Sequence, residues 1–232
     1  MRCGMFGKLA AKRDFIALYA PRGFLDVWEP WMQSSMSASR QTLSESWQEA
    51  FLTAPIWRYW LGPEICGAAV LGAFMPSLDG VGRHYPLTVF ANATPAAQIP
   101  PPDIDVQDDW FAAAEEFLLA TLDRAVAFEQ ISGTLEQFPP PRVPAADTAM
   151  PAGRAVLADG VVGALAVGSE FESVLSELRR ANFASAYAAA SFWWTVGGHD
   201  SPPLALSCRR MPDPFLFATM LVGRLPETAA NA

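Results

Sequence analysis

SFWWTVGG, residues 191–198, is the stretch on which the fold turns. Two adjacent tryptophans sit in an apolar run that two glycines close, the pattern of a strand running into a turn. Consecutive side chains on a strand point to opposite faces, so Trp193 and Trp194 cannot share one. Each needs apolar cover of its own. That requirement predicts an α/β (α+β) fold: a three-layer sandwich whose central sheet has helices on both faces.

Other runs agree with a sheet covered on two sides, because they lack polar alternation. Ile56–Leu61 is aromatic, Gly67–Met75 is continuously apolar, and Leu87–Ala91 contains Val89 and Phe90. Gly4–Leu9 reads as a first strand. SFWWTV and LALSCR, separated by a Gly- and Pro-rich turn, read as a hairpin, so a mostly antiparallel sheet is expected.

The helices follow from spacing. Pro21 is placed to open a helix along which Phe24, Val27, Trp28, Trp31 and Ser35 recur, and Pro30 predicts a kink or a split into two helices. Ser46-x-x-Glu49 has the form of a capping box for a short second helix that Pro55 ends. An acidic stretch, Asp103–Asp109, precedes a helix over 106–129 with Trp110, Ala114, Phe117, Leu118, Thr121, Ala125 and Phe128 on one face. Its acids suit the positive end of the helix dipole, and they also offer a phosphate-like surface. Ser169-x-x-Glu172 is a second capping box, with Phe171, Val174, Leu175 and Leu178 as the apolar stripe. The whole reads as one domain over 1–225. Within it 132–155 is a Pro-rich connection, and 226–232 form a disordered tail.

Composition narrows the function. The chain has 232 residues, 51% hydrophobic and 17% charged, with 8 Trp, 15 Phe and a formal net charge of -8. A nucleic-acid partner would want a clustered basic face, and the longest basic runs are pairs such as Arg179-Arg180. Lys8, Lys12, Arg13 and Asp14 interrupt the N-terminal stretch, so no secretory signal is expected there. No apolar run approaches the roughly 18 residues of a membrane span. Three scattered cysteines, Cys3, Cys66 and Cys208, predict free thiols in a reducing, cytoplasmic setting.

Chemistry is hard to find. His199-Asp200-Ser201 contains triad residue types, but neighbouring side chains splay apart instead of forming a relay. No cysteine or histidine pair has metal-ligand spacing, and no phosphate-binding glycine motif is present. Glu115-Glu116 reads as a solvated helix face. No metal or cofactor is expected.

The loop MPSLDGVGRHYPLT (75–88) gathers the remaining candidates. Gly80 and Gly82 permit a tight reversal. Arg83 either pairs with Asp79 or is presented outward as a fork for a carboxylate or phosphate. Tyr85, extended because Pro86 follows, is expected to project its ring. The loop supplies no nucleophile with a base beside it.

Four stretches in order, GMFGKLAAKRDFI (4–16), LTAPIWRYWL (52–61), MPSLDGVGRHYPLT (75–88) and SFWWTVGG (191–198), resemble the TagF (ImpM) family of type VI secretion accessory proteins. The family's opening usually runs G-K-L-P-x-x-G-D-F; here Ala10 and Arg13 replace the proline and the glycine, and Asp14 is kept. The resemblance implies an α/β sandwich and a post-translational repressor of the secretion system, with a forkhead-associated (FHA) scaffold as partner. It implies no catalytic residue. Lys8, Asp14, Asp79, Arg83, Tyr85, Trp193 and Trp194 are the candidate interaction residues. Two alternatives stay open: a structural subunit of the apparatus, and a hydrolase using His84 or Asp79 of the loop.

Overall fold

The structure is a computed structural model that describes residues 1–143, 154–156, 162–164, 171–198 and 201–225. In chain order it forms β1 (Cys3–Gly7), β2 (Ile16–Leu18), α1 (Arg22–Leu43), a 3-10 turn (Ser44–Ser46), α2 (Trp47–Thr53), β3 (Trp57–Leu61), α3 (Pro63–Cys66), β4 (Val70–Met75) and β5 (Leu87–Asn92). Then come α4 (Asp108–Ala120), α5 (Phe128–Glu136), β6 (Arg154–Val156), β7 (Val162–Ala164), α6 (Phe171–Ala181), α7 (Phe183–Ala186), β8 (Ala190–Thr195), β9 (Leu204–Arg209) and α8 (Leu216–Val222). The fold is mixed α+β. Seven strands make one sheet in the order β2-β1-β5-β4-β3-β8-β9, and every pairing in it is antiparallel. β8 and β9 form the expected hairpin, with Trp193 opposite Leu206 and Trp194 opposite Ala205.

Strand alternation sorts the core in two. Trp57, Tyr59 and Leu61 of β3, Val70 and Phe74 of β4, Phe90 of β5 and Trp193 of β8 join one cluster, with residues of α1, α2 and α8. Trp60, Leu71, Ala73, Met75, Val89 and Ala91, the intervening positions, join the other with residues of α4 and α5. Trp193 is fully buried, stacked on Tyr59 at 5.3 Å between ring centroids, and tilted against Trp31 at 4.8 Å. Trp194 is half-buried and meets Phe111 of α4 edge-on at 5.0 Å. The two neighbours therefore have helical cover on opposite sides, as their parity requires. Each fully buried large side chain stabilises by roughly 1.5–3 kcal/mol.

Several local expectations are corrected. α1 is not split: it runs unbroken with Pro30 inside it, and Pro21 is its cap, not its first residue. The carbonyl that Pro30 leaves without a donor belongs to Asp26, four residues earlier, which is exposed and can be hydrated. The first capping box does not form. The 3-10 turn places Ser46 already in helical conformation, and its hydroxyl donates back to Leu43 O at 2.8 Å. The long helix ends at Ala120, where Thr121 Oγ1 donates to Leu118 O and Asp123 Oδ1 caps the N–H of Ala125.

α5 takes up residues assigned to the Pro-rich connection, and the chain beyond it is tied to α4. Trp110 Nε1 donates to Pro139 O, and Gln107 exchanges two hydrogen bonds with the Arg142 backbone. Among the described side chains of α6 only Val174 is buried; Phe171 and Leu175 are exposed, and this helix lies against β7. Ser169 of the second capping box, most of 144–170, the His199-Asp200 pair and the tail from 226 fall outside the described residues.

Candidate functional site

The loop between β4 and β5 is a small hairpin. Asp79 N donates to Arg83 O, Gly82 N to Asp79 O, and Tyr85 N to Ser77 O, with Gly82 at φ 87° making the reversal. Asp79 is its hub. Oδ1 accepts the backbone N–H of Val81 (3.1 Å) and Arg83 (2.9 Å), the short-range bonding that makes aspartate a turn former. Oδ2 accepts from Arg83 Nε at 2.6 Å and Lys8 Nζ at 3.1 Å. Burial alone would raise this carboxyl. The N–H of Arg83, the two cations and the N–H of Val81 outweigh burial and hold it well below the usual carboxylate range.

The same loop clamps the N-terminal turn. Gly80 N donates to Lys12 O at 2.7 Å, Ser77 Oγ to Lys8 O at 2.8 Å, and Arg83 Nη2 to Arg13 O. Gly7 passes directly beneath. At φ 133° its Cα lies so close to the loop's end that a Cβ would stand 2.1 Å from Pro86 O, so only glycine fits. Of the two departures from the family pattern, Ala10 lies in the turn that Lys12 N closes onto Leu9 O, and Arg13 follows it, its carbonyl accepting from Arg83 Nη2.

Three of the candidate residues thus meet: Lys8, Asp79 and Arg83. Lys8 and Asp79 are withdrawn from solvent, whereas the Arg83 side chain remains 58% exposed. Asp14 is exposed on the clamped turn. Tyr85 is the clear correction. Its ring turns inward, edge-on to Phe15 at 4.7 Å and to Phe6 at 6.1 Å, and is buried. Pro86 restricts the backbone before it but not the face the ring takes, and the ring's apolar neighbours come from β1 and the turn after it. Trp193 is likewise core, and Trp194 packs on α4. What the loop offers to solvent is Arg83 and Val81, and the clamped turn adds Phe15; the two apolar residues are ones that sequence reasoning passed over.

His84 sits edge-on between Trp47 and Phe51, at 5.4 Å from each. Burial, then the charges of Arg40 and Lys8, push its imidazole below its ordinary value, so it is neutral at pH 7. With Tyr85 it lines an open cleft whose other wall is α1. Asp79 does not line it.

Away from the loop, Arg58 was missed. Its guanidinium lies under α4, bonded to Glu115 at 2.6 Å and Asp108 at 3.3 Å and 5.0 Å above the Phe111 ring. The lone charge inside IWRYWL was its signal. Glu115 is therefore paired and not merely a solvated carboxylate. The acidic start of α4 is engaged as well: Arg142 reaches Asp105 and Asp109, while Asp103 accepts from Tyr187 Oη at 2.7 Å. Among the described residues no helix is long and apolar enough to cross a membrane.

No curated protein matches the chain. A solved structure, the crystal structure of PA0076 from Pseudomonas aeruginosa PAO1, superposes with a TM-score of 0.79 at 28% sequence identity, covering 99% of this chain and 98% of that one. The family described as TagF N-terminal domain, type VI secretion system-associated, matches residues 4–138. That span holds the aspartate hub, the clamped turn and the cleft, and the chain belongs to this TagF family.

Proposed function

We propose that this chain is a cytoplasmic, non-catalytic repressor of the type VI secretion system, a three-layer sandwich that acts after translation by docking on an FHA scaffold. The observation that carries this reading is the use of the loop's charges. Asp79 is sequestered by Lys8, Arg83 and two backbone N–H groups, so it has no free lone pair aimed at a substrate. A hydrolase needs a nucleophile with a base in reach, and His84 is held between two apolar rings.

The same bonding fixes the outer surface. Arg83 is pinned at two points, and Phe15 and Val81 stand beside it at 46% and 57% exposure. A rigid arginine flanked by apolar side chains is the composition of a protein-contact centre. Asp14 completes this face.

The test is secretion in a strain lacking the gene. A repressor predicts that secretion rises on deletion and returns to its basal level with the wild-type copy. A folded Val81→Glu or Arg83→Ala copy should not restore it, and should no longer retain the FHA protein in a pull-down. Secretion abolished by the deletion would identify a structural subunit. Unchanged secretion would refute both.

A further inference from the structure

The face that carries Arg83 is basic on a chain whose formal net charge is -8. Lys8, Lys12, Arg13 and Arg83 stand there against two carboxylates, Asp14 and Asp79. Lys8 and Arg83 share the one carboxylate of Asp79, at 3.1 and 2.6 Å, so that cluster keeps a positive charge. Arg13 and Asp14 are exposed on the clamped turn, and Lys12 Nζ lies over the Phe128 ring at 4.1 Å. Among the described residues no carboxylate pairs with Lys12 or Arg13. The start of α4 is the opposite case. Its acids are answered from within the chain, Asp108 and Glu115 by Arg58, Asp105 and Asp109 by Arg142.

The geometry at Arg83 makes this more than a solvated patch. A guanidinium carries five N–H donors. Nε gives one to Asp79 and Nη2 gives one to Arg13 O, which fixes the plane of the group. The remaining donors belong to a side chain that is 58% exposed. A planar group already held in place has less freedom to lose when it grips a further carboxylate. Apolar surface adjoins it: Val81 is exposed two residues before, and the exposed Phe15 ring lies 5.3 Å from Lys8 Nζ.

We propose that this face takes an acidic segment of the partner protein, with a carboxylate on the outer donors of Arg83, further negative charge facing Arg13, and apolar side chains against Phe15 and Val81. The inference rests on the docking reading above and adds the chemistry of the surface that docks. A negatively charged partner is repelled by the acidic body of the chain and drawn to this face, which orients the encounter.

The full chain is titrated into the purified FHA protein by calorimetry at about 0.1 M and about 1 M NaCl, between which the screening length shortens from about 10 to 3 Å. Affinity should fall about tenfold at the higher salt. Arg13 is bonded to the loop through its carbonyl, so Arg13→Glu reverses a charge without breaking that bond, and it should weaken binding about tenfold with unchanged stability. Val81→Lys and Val81→Glu remove the same apolar contact and differ only in charge; the glutamate variant should bind about tenfold more weakly than the lysine one. Phosphatase treatment of the FHA protein should leave the affinity unchanged. Binding that ignores salt, equal affinity of the two Val81 variants, or binding lost on dephosphorylation would overturn the proposal while leaving the docking reading in place. No binding of the wild-type chain at either salt would overturn both.

Discussion

Lys8 Nζ stands 3.1 Å from Oδ2 of Asp79, with both side chains shut away from solvent. This pair joins the end of β1 to a loop some seventy residues later, and it makes the N-terminal turn and the 79–83 hairpin one unit. A carboxyl held lower in the folded than in the unfolded chain adds stability that is complete above its unfolded value, near pH 4, and fades as pH falls below that. Asp79→Asn should therefore lower the denaturation midpoint at pH 7, with the gap to wild type narrowing by pH 3. Urea titrations at pH 7, 5 and 3 measure it. A gap that stayed constant to pH 3 would show that Asp79 acts through shape and not charge.

Trp193 and Trp194 should differ sharply on truncation. Trp193→Ala removes a ring enclosed by Trp28, Trp31, Tyr59 and Phe74 and should cost about 3–5 kcal/mol. Trp194→Ala, half-buried, should cost about 1–2 kcal/mol in proportion to the area it covers. Chemical denaturation of the two variants decides, and equal losses would contradict the two-sided core.

His84 should titrate below the usual histidine value of about 6.5. Burial lowers it most, and Arg40 adds to the shift, so Arg40→Gln should move the midpoint upward without restoring it fully. An NMR titration between pH 4 and 8 follows this directly. A wild-type midpoint above 6.5 would mean that the ring is hydrated, not wedged between Trp47 and Phe51.

The thiols should be slow. Burial pushes Cys3 up to about 11 and Cys66 up to about 12, so almost no thiolate exists at pH 8. Cys3, at 1% exposure on β1, should resist iodoacetamide in the native protein and react at once in denaturant. Mass spectrometry of partly labelled protein would place the adducts; rapid native labelling of Cys3 would mean that β1 detaches from β5.

What could be read beforehand was whatever depends on near neighbours. The opposite facing of Trp193 and Trp194 is a property of strand geometry, and the Asp79–Arg83 contact follows from aspartate's habit of bonding its own turn. Lys8 as the second cation was not readable, since it arrives by the register of β1 on β5. Nor was the cleft beside His84, whose other wall comes from α1, far away in sequence. The inward Tyr85 shows the limit of a backbone rule: Pro86 restricts the preceding φ and ψ, but not the face the ring takes. The missed capping box has the same lesson, since a 3-10 turn three residues earlier decided the conformation of Ser46.

The pairing of β3 with β8 bears on how the chain assembles during synthesis. The stretch carrying the family signature, 4–138, includes β1 to β5, but its β3 edge is completed only by residues 191–194, and Trp193 fills the space between Trp28 and Tyr59. A nascent chain with its first five strands made still has an open edge and a tryptophan-sized hole. The strand carrying Trp193 thus acts as a latch, and the sheet is complete only once residues 190–195 have been made.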